Sequence, residues 1–271
     1  MMRLAIYSNN QKTSLEVTDQ IRAALMAADN HEIIFDQVRP DVVISVGGDG
    51  TLLAAFHEYS AQLTEIRFIG MHTGHLGFYS DWQKDEVQAL VASLLNEPGK
   101  TVKYPLLEMV IKYSDGHTTR QLALNEAAIK RPLGTLVADV YINGELFERF
   151  RGDGLTAATP TGSTGYNKSI GGAVVHPSLA VIQLSEIASL NNRVYRTLGS
   201  PLIVGPSETI KIVPRRNDGK EIITFDHLNQ PSQNVEWIEL RVATEKIAFT
   251  EYRHLEFWHR VKSSFIGPEV D

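Results

Sequence analysis

The stretch VVISVGGDGTLLAAF, residues 42–56, narrows the possible folds more than any other part of the chain. Val42, Val43, Ile44 and Val46 form a short continuous apolar run, the form a strand takes when a parallel sheet covers it on both faces. Gly47-Gly48-Asp49-Gly50 follow, with one carboxylate among three glycines. Thr51 then opens a second apolar run that reads as a helix over 52–59. A buried strand that turns this quickly into a helix belongs to an α/β layer architecture.

The alternation continues over residues 3–98. Residues 4–8 and 66–71 read as strands, while Val17, Ile21, Ala24, Leu25 and Ala28 fall on one helical face. Val87, Leu90, Val91, Leu94 and Leu95 fall on another, which Asn96-Glu97-Pro98-Gly99 ends. From about residue 100 the texture changes to short strands, with Asn143-Gly144 marking a hairpin. The expected fold is therefore an N-terminal α/β three-layer nucleotide-binding domain over residues 1–99 and a C-terminal β-rich domain over 100–250. The tail, 251–271, is expected to pack back on the first domain, with FWHRVKSSF, residues 257–265, reading as its helix.

Composition excludes several classes. A formal net charge of −6 disfavours nonspecific nucleic-acid binding, and no cysteine is present for disulfides or thiolate metal sites. No apolar run is long enough to span a membrane and no signal peptide is evident, so the expected setting is the cytoplasm. His72 and His75 hint at a metal, but no third ligand stands at a suitable spacing.

The glycine turn is a candidate phosphate site. It stands at the carboxyl end of a strand, where α/β domains bind ligands. A helix N-terminus follows it, and glycines let a phosphate approach the backbone. The plain alternative is an ordinary turn in which Asp49 or Thr51 caps the helix. No Lys-Ser/Thr follows, so this is not a P-loop. A carboxylate facing phosphate is repulsive unless it does chemistry, so Asp49 is a candidate general base for a substrate hydroxyl. A second dense stretch, residues 151–177, mixes six glycines with Asp153, Thr161, Ser163, Thr164, Tyr166, Asn167, Lys168 and Ser169. It reads as a ligand-binding loop, too rich in hydrogen-bonding groups for a core strand, with Tyr166 able to stack on a base.

Gly47-Gly48-Asp49-Gly50-Thr51, Asn125-Glu126 and TPTGSTGYNKSIGG, residues 159–172, resemble in order and spacing the three signatures of bacterial NAD kinases. The resemblance covers nearly the whole chain. The first motif alone is shared with diacylglycerol kinases, and the other two are more specific. The resemblance implies transfer of phosphate from ATP to the 2′-hydroxyl of the adenosine ribose of NAD, and leaves open whether polyphosphate can replace ATP. It implies Asp49 as the base and Gly48, Gly50 and Thr51 around the phosphates. Asn125 and Glu126 would hold the adenosine. Asp153, Thr161, Thr164, Gly165, Tyr166, Asn167, Lys168 and Ser169 would line the dinucleotide pocket, with Arg151 and Ala188 nearby. His227 falls where relatives often carry glutamine, and His75 and Phe78 would stand near the nucleotide. Mg²⁺ would arrive with ATP rather than occupy a protein site. The expected partners are NAD and ATP, with no nucleic acid and no membrane, in a homo-oligomer, dimer or tetramer. The rival readings are a diacylglycerol-type lipid kinase and a non-catalytic NAD(P) sensor.

Overall fold

The computed structural model describes residues 2–28, 33–74, 77–97, 99–216, 218–252 and 257–267. The chain divides into two compact units, one of residues 1–103 with 247–271 and one of residues 104–246.

The first unit is built on a parallel sheet. β1 (Met2–Ser8) lies between β2 (Ile33–Phe35) and β3 (Val42–Gly47), and β3 pairs with β4 (Arg67–His72). All six residues of β3 are buried, as its apolar run requires. Side chains alternate across the sheet. Val42, Ile44 and Val46 face α1 (Lys12–Ala27) and α3 (Val87–Asn96), which meet them with Val17, Ile21, Leu25, Leu90 and Leu94. Each such fully buried aliphatic side chain contributes roughly 1.5–3 kcal/mol. That exceeds the roughly 0.7 kcal/mol spread of helix propensities, so the apolar stripe decides where the helices lie. The intervening helix, α2 (Asp49–Glu58), buries Leu52, Ala55 and Phe56 outside that cluster and packs on β3 and β1. Helices therefore cover both faces of the sheet. β5 (Trp82–Gln83) extends β4 in parallel.

The second unit is antiparallel. Its strands are β6 (Lys100–Tyr113), β7 (Thr118–Ala123), β8 (Glu126–Lys130), β9 (Leu136–Ile142), β10 (Glu145–Gly152) and β11 (Gly154–Ala158). After the short α4 (Tyr166–Ser169) come β12 (Ile182–Ile187), β13 (Leu202–Val204), β14 (Ile210–Pro214), β15 (Ile222–Phe225), β16 (Leu228–Gln230) and β17 (Val235–Glu251). One sheet runs β13-β12-β11-β8-β15-β16, and a second pairs β10, β9, β14 and β17, with β6 joining β17 to β7. Inward side chains of both sheets share one core, including Ile129, Leu155, Leu184, Val140, Ile212 and Leu240. Asn143 and Gly144 both have positive φ, 51° and 82°, the backbone of a two-residue hairpin turn.

One expectation fails here. Residues 154–158, GLTAA, are not loop but the fully buried strand β11, paired on both sides by β8 and β12. A Cβ on Gly154 would stand 2.5 Å from the Ile129 carbonyl oxygen, so the strand begins where a neighbouring backbone stands close.

The tail forms α5 (Phe257–Phe265) within the first unit. Its one buried residue is Arg260, which donates to the carbonyls of Gly77 at 2.9 Å and Ser80 at 2.6 Å and pairs with Asp81. Phe257 and Phe265 flank the ring of Phe78 at 6.4 and 5.8 Å. Among the described residues no helix is long and apolar enough to cross a membrane. Arg260→Ala strips two carbonyls and a carboxylate of a buried partner, so it should cost at least about 2 kcal/mol. A melting temperature lowered by roughly 4–8 °C is expected in thermal unfolding. An unchanged value would show that α5 docks without this contact.

Candidate functional site

In the first unit, α2 begins inside the glycine turn, at Asp49, with Gly48 as its N-cap. Neither Asp49 nor Thr51 caps the helix through its side chain. Asp49 instead projects from the first helical position. Its Oδ2 accepts the Phe78 N–H at 3.0 Å and its Oδ1 the Tyr79 N–H at 3.3 Å. Gly77 makes this possible, because a Cβ there would lie 2.2 Å from Asp49 Oδ1. One amide per oxygen leaves each with a lone pair to spend.

At Gly48 and Gly50, which flank Asp49 in sequence, opens a pocket of about 480 Å³ also lined by Asn9, Gln11, Thr13, Thr51, His72, Thr73 and Gly74. No lysine or arginine is among these lining residues. The first N–H groups of a helix have no acceptor within the helix, and its dipole favours anions there. Asn9 donates to Thr51 Oγ1 at 3.2 Å, joining the loop after β1 to the turn. His72 Nδ1 accepts the Gly74 N–H at 2.9 Å. In the neutral ring the proton is therefore on Nε2, the nitrogen nearest Gly48. No three carboxylate, imidazole or thiol side chains cluster as a metal site among the described residues.

The second unit holds a corner at Asn125-Glu126. Asp226, at positive φ in the two-residue turn between β15 and β16, accepts three backbone N–H groups with its carboxylate. They come from Leu124 at 2.9 Å, Asn125 at 2.7 Å and Glu126 at 3.3 Å. The 161–169 segment folds onto this corner. A Cβ on Gly162 would stand 2.0 Å from the Asn125 carbonyl oxygen, so only glycine fits there. Gly165 is exposed, and the point where its Cβ would stand is 3.6 Å from Glu126 Oε2 and 4.0 Å from Asn125 Nδ2. The Tyr166 ring is half-buried and carries the Lys130 ammonium 3.8 Å from its centroid. Burial, helped by the charge of Asp226 and opposed by Lys130, pushes the Glu126 carboxyl up to about 7.

Residues 8–99 match the family of the ATP-NAD kinase N-terminal domain, and residues 124–252 that of the ATP-NAD kinase C-terminal domain. An NAD kinase of Levilactobacillus brevis is 52% identical over 269 residues, 99% of each chain. One of Leuconostoc citreum is 51% identical over 266 residues, 98% of each chain. This chain belongs to the NAD kinase family. The fold agrees. A yeast NADH kinase crystallised with NADH matches with a TM-score of 0.83 at 21% identity, covering 98% of this chain and 88% of that one. An Archaeoglobus fulgidus NAD kinase in complex with ATP matches with a TM-score of 0.72 at 22% identity, covering 92% and 94%. The lipid-kinase and sensor readings find no support in these likenesses.

Several residues expected to read a ligand also bond within the chain. The Thr161 hydroxyl donates to the Leu124 carbonyl at 2.9 Å, beside Thr159, which does the same at 2.6 Å. Asn167 is fully buried, accepting from Ser185 at 2.7 Å and packed against Gly172. The hydroxyls of Thr164 and Ser169 donate to carbonyls three residues back, at 3.1 and 2.7 Å. Short polar side chains bond local backbone readily, so a hydroxyl-rich stretch builds its own scaffold. Lys168 is exposed, and so is His227, at the tip of the turn that Asp226 begins. The Phe78 ring packs on α5, while its backbone serves Asp49. Arg151, Asp153 and Ala188 form a second group at the other end of β11. The Asp153 N–H donates to the Ile187 carbonyl, the Arg151 carbonyl accepts from Leu190, and the Arg151 guanidinium lies 4.1 Å from the centre of the Tyr195 ring. Gly154 pairs Lys130 while Ala158 pairs Glu126, so about 13 Å of strand separates this group from the Asn125-Glu126 corner. His75 lies outside the described residues.

Asn9, Asp226 and Arg260 are absent from the sequence expectations. Asn9 was open to inference, since it follows β1 at the same edge as the glycine turn. Gly162→Ala, whose new methyl meets backbone, should lower stability by about 1–3 kcal/mol and raise the NAD concentration needed for half-saturation. Thermal unfolding with separate NAD and ATP titrations checks this. Equal losses for both substrates would show that the residue supports the whole unit rather than the corner.

Proposed function

We propose that this chain transfers the γ-phosphoryl group of ATP to the 2′-hydroxyl of the adenosine ribose of NAD, giving NADP. Asp49 takes the hydroxyl proton. The 2′ oxygen forms its bond to the γ-phosphorus as the bond from that phosphorus to the β,γ-bridging oxygen breaks, and ADP leaves. The observation that carries this reading is the placement of Asp49. A carboxylate beside an anion-ready helix N-terminus is unfavourable for binding alone, and two backbone amides hold it there with lone pairs to spare.

The phosphates take the pocket beside Gly48, Gly50 and Thr51, while Asn125 and Glu126 hold the adenosine. Mg²⁺ arrives with ATP, held by its phosphates, and supplies the charge neutralisation that a lining without lysine or arginine does not. The chain works in the cytoplasm as a homo-oligomer. Support for association is the set of exposed apolar side chains Leu146, Phe147, Leu190, Val194 and Leu198 on the second unit.

The direct test supplies NAD, ATP and Mg²⁺ and detects NADP with an NADP-specific dehydrogenase. Asp49→Asn keeps one acceptor oxygen for the 78–79 amides and removes the base. Turnover should fall roughly 10²–10⁴-fold while NAD affinity changes far less. Near-normal turnover in that variant would remove Asp49 from the chemistry.

A further inference from the structure

Glu126 Oε2 is buried and has no hydrogen-bond partner among the described residues. Burial without a partner is unfavourable for any polar atom and most of all for a charged one. Two charged groups bear on this carboxyl. Asp226, from the β15–β16 turn, disfavours its ionisation, and Lys130, on the same face of β8, favours it. Neither relieves the oxygen. Both Asp226 oxygens are engaged by backbone N–H groups. The Lys130 ammonium lies over the Tyr166 ring. From the 161–169 segment the nearest approach is Gly165, which brings no side chain.

A carboxyl left this way is least costly in its protonated state. It keeps its proton and offers it. Burial, the largest influence, and the neighbouring Asp226 place its titration at about 7. Glu126 as a whole is only partly buried, and Gly165, the nearest approach to its Oε2 from the 161–169 segment, is exposed.

We propose that Glu126 meets the dinucleotide as a neutral carboxyl donating a hydrogen bond, and that Asp226 is the positioning residue that fixes the Asn125-Glu126 corner and keeps that proton on Glu126. This rests on the reading of NAD as substrate. The group met on the ligand is an uncharged acceptor, a ring nitrogen or an oxygen of the adenosine half. Such a donor draws no cation into the pocket and ignores the charge state of the nicotinamide ring.

The sign of the pH dependence follows. The binding-competent form is protonated, so affinity is full below about 7 and is lost as pH rises through it. The test is calorimetric titration of the full chain with NAD alone, without ATP or Mg²⁺, at pH 6 and pH 8.5. Wild-type affinity should fall about 30-fold between these values, in step with the protonated fraction. Glu126→Gln carries a permanent neutral donor and should bind equally at both. Asp226→Asn removes a charge that favours the proton, so its affinity should begin to fall at lower pH. A wild-type affinity that is flat or rises with pH would overturn the proposal. So would a Glu126→Gln protein with the full wild-type dependence, which would assign the titration to another group such as His227. If Asp226→Asn fails to fold, the other two proteins still decide. A chain that makes NADP but shows no such dependence loses this proposal alone. A chain that neither binds NAD nor makes NADP loses the substrate reading as well.

Discussion

Asp49 accepts the backbone N–H groups of Phe78 and Tyr79, and the organisation of the first unit depends on that contact. The strand–turn–helix of residues 42–58 supplies the carboxylate, and residues 77–80 come to it from the far side of β4. The same segment turns its carbonyls the other way, to Arg260 of α5. A short piece of backbone thus has its donors spent on Asp49 and its acceptors on the tail helix. The proposed base is held by two amides rather than by a rotamer alone, and the tail of the chain holds the segment that carries them.

The second unit uses the same device. Asp226 receives three consecutive amides and shapes the Asn125-Glu126 corner. Gly162 seats the 161–164 turn on the Asn125 carbonyl, and Thr159 and Thr161 bond the Leu124 carbonyl from the same side. The corner is fixed before any ligand arrives. What remains uncompensated at the corner itself is Glu126 Oε2, a buried carboxyl oxygen with no hydrogen-bond partner among the described residues.

Much of this architecture was legible because it follows from periodicity and turn chemistry. The buried run at 42–46, the helical stripes of α1 and α3 and the Asn143-Gly144 hairpin each carry a local physical signal. The strand β11 did not, since Gly154 is small for the sake of the Ile129 carbonyl, which only the folded sheet brings near. The hydroxyls of Thr159, Thr161, Thr164 and Ser169 also serve the fold, since each donates to a backbone carbonyl, a role their number alone does not reveal. Asp226 and Arg260 act on residues about 100 and 180 positions away in sequence, and an aspartate in a turn or an arginine in a helix gives no local sign of such a role.

The most direct measurement is a crystal structure of the full chain with NAD bound. The account predicts an Asp49 carboxylate oxygen within about 2.6–3.2 Å of the ribose 2′ oxygen, with the Phe78 amide still bonded to its partner oxygen. A 2′ oxygen beyond that reach, with another carboxylate or an imidazole as its nearest proton acceptor, would contradict it.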